Sequence, residues 1–189
     1  MTDSVYTKYA IANVFKEIMT KKSFEKITIS DITTACGLNR QTFYYHFRDK
    51  YELLNWIFYN DAILPFVENL GFDNWSEKLC NMLNMIYTNS RFYSNALKIS
   101  YGQEFKSYMH KANTNVFLSV IEEVSGNYVM ADDDKVFIAE FFSYGMTGTI
   151  VSWVQRGMKE SPETVTSHIV NLVNDCQRLA VKRYMMPKK

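Results

Sequence analysis

The 189-residue chain is 47% hydrophobic, contains only 3 Pro and 7 Gly, and has a formal net charge of +1. So few helix breakers point to an all-α protein of one or two domains, and the near-neutral balance excludes a globally basic nucleic-acid binder. No apolar run is long enough to span a membrane and no N-terminal stretch has the form of a signal peptide, so a cytoplasmic protein is expected. Cys36, Cys80 and Cys176 are odd in number, far apart and without metal-ligand spacing; they read as reduced thiols, with no metal or cofactor expected. Cys36 is better read as a small buried residue than as an oxidation sensor.

In chain order, residues 4 to 22 read as a first helix, with Tyr9, Ala12, Val14, Phe15, Ile18 and Met19 on its apolar face. Lys21 and Lys22 close it, either near a phosphate or in solvent. The stretch from 27 to 54, ITISDITTACGLNRQTFYYHFRDKYELL, organises the rest. Thr28 is placed to cap a short helix, and Asp31 stands where a capping box takes Glu or Gln, which makes that box imperfect. Ile29, Ile32 and Ala35 give the helix a buried face, and Gly37 supplies the left-handed residue that ends it. Leu38 plugs the turn. Asn39 caps a second helix whose Phe43 and Phe47 face inward, leaving Arg40, Gln41, Thr42, Tyr44, Tyr45 and His46 outward. Two short helices across a Gly-containing turn form the DNA-reading helix-turn-helix, with the second in the major groove. Arg reads guanine, Gln reads adenine, a Thr methyl meets thymine, and Tyr and Lys hold phosphates. The plain alternative is a solvated helical hairpin, but exposed aromatics are costly there. Residues 1 to 60 hold eight Lys and Arg against six Asp and Glu, a balance of +2. Affinity must therefore come from where Lys22, Lys26, Arg40, Arg48 and Lys50 point, and from pairing two such heads.

This stretch resembles the DNA-binding signature of the TetR family of bacterial transcription regulators. The resemblance rests on Thr28, Ile32, Ala35, Gly37, Thr42, Phe43, Tyr44, His46, Phe47, Lys50, Leu53 and Leu54. It implies a three-helix head, a Lys50 ammonium near phosphate, and repression as the default mode. Family members often carry Gly where this chain has Gln41, which implies a different base-reading surface. The expected DNA-binding set is Thr28, Asn39, Arg40, Gln41, Thr42, Tyr44, Tyr45, His46 and Lys50.

Asp49 opens a fourth helix rich in Leu53, Leu54, Trp56, Ile57 and Phe58, interrupted or kinked at Pro65 and closed near Gly71. A boundary near residue 50 divides a DNA-binding domain, 1–50, from an effector-binding and dimerisation domain, 51–189. Helices are expected over 74–87 and 91–100, and after a break at Tyr101 and Gly102 another runs over 105–124 to Gly126 and Asn127. Tyr87, Tyr93, Tyr101, Phe105, Tyr108 and Phe117 could line a cavity for a small effector; for any one of them, ordinary core packing is the plainer account. His110 reads equally as a pocket group or a surface residue. Asp132, Asp133 and Asp134 are better explained as acid at a helix start than as a metal site. The helix over 135–156 is apolar almost all round, with Gly145, Gly148 and Ser152 on one side for close approach. Ser161, Pro162 and Glu163 restart the chain into a last helix carrying Val165, Ile169, Leu172, Val173, Cys176, Leu179 and Ala180, and the basic tail from Arg183 is expected to fray. Two such helices ask for the same pair from a second subunit, through Tyr144, Gly145, Gly148, Ser152, Ile169, Leu172, Val173 and Cys176.

The run FFSYGMTGTIVSWVQRGMKESPETV, through Tyr144, Gly145, Gly148, Trp153, Gly157 and Pro162, resembles a TetR subgroup that includes regulators of dihydroxyacetone kinase operons. That subgroup contains an activator that works with a ligand-binding partner protein. The resulting expectation is a homodimeric regulator reading a near-palindromic operator, a repressor under small-molecule control. The alternatives are an activator controlled by a partner protein, or a protein-interaction scaffold. An enzyme is not expected: there is no Gly-rich phosphate loop, and His46, His110 and His168 are scattered.

Overall fold

The computed structural model describes residues 2–71, 73–98, 102–125 and 130–185, and among them every regular element is helical. Helix α1 (Thr2–Lys21) leads through a 3₁₀ turn (Phe24–Lys26) into α2 (Ile29–Cys36) and α3 (Arg40–His46). α1 lies across α2 and α3 and buries Ile11, Ala12, Phe15 and Met19 against Phe24, Ile27, Ile32, Phe43 and Phe47. Full burial of one such Phe stabilises by about 1.5–3 kcal/mol.

Local chemistry sets the helix ends. The Thr28 hydroxyl accepts from the Asp31 N–H at 3.1 Å, and the Thr28 N–H donates to the Asp31 carboxylate at 2.7 Å. The capping box expected to be imperfect is complete, because Asp31 reaches back as Glu would. The inward face of α2 is Ile29, Ile32, Thr33 and Cys36, at spacings of three and four; Ala35 lies exposed beside it, which corrects the expected face. Gly37 ends α2 at φ 66°, ψ 25°. Asn39 caps α3 by accepting from the Thr42 N–H at 2.7 Å, and Asp49 caps α4 by accepting from the Tyr51 and Glu52 N–H groups.

α4 (Lys50–Phe58) passes through a π-helical turn (Tyr59–Ile63) into the short α5 (Leu64–Val67). Pro65, expected to break this helix, stands in the first turn of α5 just after the π-turn. A proline ring crowds the carbonyl four residues earlier, and a π-turn widens the backbone at that point. The rest of the body is α6 (Trp75–Thr88), α7 (Ser90–Lys98), α8 (Gly102–Ser125), α9 (Asp132–Gln155) and α10 (Pro162–Met185). α10 remains helical through Arg183, Tyr184 and Met185, where fraying was expected. Of the expected break at Tyr101 and Gly102, Gly102 already opens α8, ahead of the expected start near Phe105; Tyr101 and the stop at Gly126 and Asn127 lie outside the described residues.

α8 and α9 form the most extensively packed helix pair, joined along Ala139, Ser143 and Thr147. Asn113 donates to the Thr147 hydroxyl at 2.9 Å, and the Ser143 hydroxyl sits 2.7 Å from both His110 Nδ1 and the His110 carbonyl. His110 is thus part of the seam, with the Tyr144 ring stacked on it at 3.6 Å. α10 packs against α6. No helix among the described residues is long and apolar enough to cross a membrane.

Candidate nucleic-acid interface

Helix α3 is anchored from beneath by Phe43 and Phe47, both buried, whose rings lie 5.9 Å apart. The opposite side carries Arg40, Gln41, Tyr44 and Tyr45, all exposed, with Tyr45 at 80%. The Arg40 guanidinium donates to the Tyr44 hydroxyl at 3.4 Å, a long contact that steers Arg40 along the helix face. Asn39 and Thr42 spend their side chains on each other: the Thr42 hydroxyl donates to Asn39 Oδ1 at 3.0 Å while that oxygen caps the helix. Thr28 is exposed at the start of α2, with its hydroxyl inside the capping box. His46 is half-buried edge-on to Tyr45; burial, then repulsion from Lys8, pushes its imidazole below the ordinary value.

The cations divide. Arg40 and Lys26 are exposed, whereas Lys22 is paired with Asp31 at 2.7 Å and Arg48 with Asp49 at 3.2 Å. Lys50 departs from its expected place at a phosphate. Its ammonium points into the head and donates to the carbonyls of Phe24 at 2.8 Å, Glu25 at 3.2 Å and Ile27 at 2.8 Å, over the Phe24 ring at 4.6 Å. Three carbonyls in and just after the 3₁₀ turn, of which that of Phe24 also accepts the Ile27 N–H, take the three ammonium protons, so Lys50 is a structural pin here. Partial burial pushes its pKa down.

Among the described residues, the rings expected around an effector make their ring contacts with several different rings. Tyr93 is buried and donates to the Met85 sulfur at 3.5 Å, its phenol pushed far up by burial and then by Asp61. Phe105 and Tyr108 meet Phe58, Phe117 meets Phe142, and Tyr87 stacks on Trp153. Tyr101 is outside the described residues. On the far side of α9 and α10, Phe137, Phe141, Tyr144, Leu172 and Leu179 are exposed by 62–69%. Gly145, Gly148 and Ser152 continue the same side, and a Cβ added at either glycine would meet open space. Ile169, Val173 and Cys176 are half-buried along α10.

Comparison with known proteins agrees with this architecture. A family model described as "Bacterial regulatory proteins, tetR family" matches residues 15–57, and one described as "Transcriptional regulator C-terminal region" matches residues 73–175. The HTH-type dhaKLM operon transcriptional activator DhaS of Lactococcus lactis subsp. lactis is 30% identical over 92% of this chain and 91% of its own. The chain belongs to the TetR family. This TetR-family regulator is also similar to the solved structure titled dihydroxyacetone kinase operon activator DhaS. The TM-score there is 0.74 at 29% identity, over 93% of this chain and 98% of that one. NalD, the secondary repressor of the MexAB-OprM multidrug efflux pump in Pseudomonas aeruginosa, shares the fold. Its TM-score is 0.57 at 15% identity, over 90% of this chain and 95% of its own. The TetR assignment makes this a DNA-binding transcriptional regulator.

Proposed function

We propose that the protein works as a homodimer whose two α3 helices enter successive major grooves of a near-palindromic operator, reading bases through Arg40 and Gln41. The observation that carries this is the two-sided character of α3: Phe43 and Phe47 locked below, and Arg40, Gln41, Tyr44 and Tyr45 held outward above. The same reading gives the exposed apolar side of α9 and α10 to a second copy, in a four-helix interface. Tyr44 and Tyr45 then serve phosphates, and Thr28 and Asn39 position the ends of the motif. The test is selection of duplexes from a random library by purified protein, at two salt concentrations. Recovery of one palindromic site supports the reading; binding that is blind to sequence and only salt-dependent sinks it.

For the sign of regulation, activation is the better-supported choice, since the 30%-identical relative is described as an operon activator. The scatter of the aromatic set over separate ring contacts also supports control by a partner protein over control by a small molecule held among those residues. A reporter driven by the recovered site settles the sign: expression that falls on deleting the regulator gene marks an activator, and expression that rises marks a repressor.

A further inference from the structure

Among the described residues, two polar contacts join α1 and the turn after it to the body beyond α4. In the first, the α7 residue Asn95 donates from Nδ2 to the Met19 carbonyl at 2.7 Å and the Lys22 carbonyl at 2.8 Å. Its Oδ1 accepts from the Phe24 N–H at 3.2 Å. The C-terminal carbonyls of a helix have no partner within the helix, so one amide from the body caps α1 and holds the turn after it. In the second, Lys16 of α1 is paired with Asp61 of the π-turn at 2.8 Å, both side chains three-quarters covered. The turn that Asn95 grips leads directly to the reading motif. Lys50 holds its other side, Lys22 binds Asp31, and Asp31 closes the cap of α2.

We propose that Asn95 is the positioning residue through which the body sets the orientation of the reading head. A shift of α7 pulls on three short bonds at once, so the end of α1 and the start of α2 follow it or lose them. The inference rests on the DNA-reading function proposed above and adds the contact by which that function is regulated. Coupling between two sites is reciprocal: if α7 biases the head, DNA on the head must alter α7.

The experiment uses the full-length protein and the duplex recovered by selection. Amide hydrogen exchange over residues 90–98 is followed with and without that duplex, for wild type, Asn95→Ala and Asn95→Asp. Asn95→Asp keeps the acceptor for the Phe24 N–H and loses both donated bonds. In wild type, DNA should change exchange in α7. In either variant the same site should be selected, bound about tenfold more weakly, with the change in α7 lost. A purely structural residue would lower thermal stability without uncoupling α7 from bound DNA. The inference is overturned if wild-type α7 does not respond to a duplex the protein binds. It is also overturned if a folded variant binds within about twofold of wild type and α7 still responds. The wild-type arm needs no variant, so misfolding of both substitutions leaves the test intact. Failure of the wild type to select any duplex is a separate result, and it removes the DNA-reading function together with its regulation.

Discussion

Arg40 and Gln41 stand on the exposed side of α3, so their removal should cost recognition and little else. Arg40→Ala and Gln41→Ala should each lower affinity for the selected site by about tenfold or more, since a good bidentate base contact contributes roughly 1–3 kcal/mol of discrimination. Competition gel shifts against random duplex would show it as a collapsed specificity ratio with unchanged nonspecific binding. Asp31 makes a second prediction. Its carboxyl is lowered from 3.8 to about 2 by the Lys22 ammonium first, then by the Thr28 N–H and hydroxyl. A carboxyl with a lowered folded value adds stability that is complete above its unfolded value and lost as pH falls through the folded one. Asp31→Asn should therefore lessen the loss of stability between about pH 4 and pH 2, read from urea midpoints across that range. Lys50 shows what the sequence hides at this scale. A Lys at a helix start looks free to meet phosphate, but its three carbonyl partners come from a turn 23 to 26 residues earlier.

At the scale of elements, cap chemistry was legible because it is local. Thr28, Gly37, Asn39 and Asp49 each stand at the helix end their side chain or backbone freedom suits. Gly37→Ala isolates one such effect: an added Cβ meets open space, so the cost is the left-handed backbone alone. Chemical denaturation should show a loss of about 1–2 kcal/mol, smaller for Gly37→Asn, which tolerates that region better. What remained illegible is long-range. The aromatic density of α6 to α8 was visible, but not which ring would meet which. Nothing near Asn95 in sequence announces partners 71 to 76 residues away. The placing of Ala35 on the buried face of α2 failed for a smaller reason: in eight residues, several three- and four-residue spacings are equally plausible, and packing against α1 decides.

For the whole molecule, the open side of α9 and α10 gives a clean test of assembly. Phe141 is 66% exposed in one chain, so Phe141→Glu should leave the fold within about 0.5 kcal/mol of wild type. In sedimentation velocity it should convert a dimer into a 22.2 kDa monomer, and operator affinity should fall with it. A wild type that already sediments as the monomer would refute the dimer. The π-turn at 59–63 bears on the same assembly in another way. An α-helix advances about 100° per residue, and a π-turn accommodates an extra residue within the helical run. Deleting one residue there would spare every base-reading side chain and every residue of the apolar face. The widened turn already absorbs the extra residue, so the deletion would restore an ordinary α-helical turn and leave the faces before and after it nearly in register, while disturbing the seat of the Lys16–Asp61 pair. The same deletion within α4 would turn one half about 100° against the other. The π-turn is therefore slack in the connection, and a chimera that grafts this head onto another body should tolerate a one-residue difference in length there and not within α4.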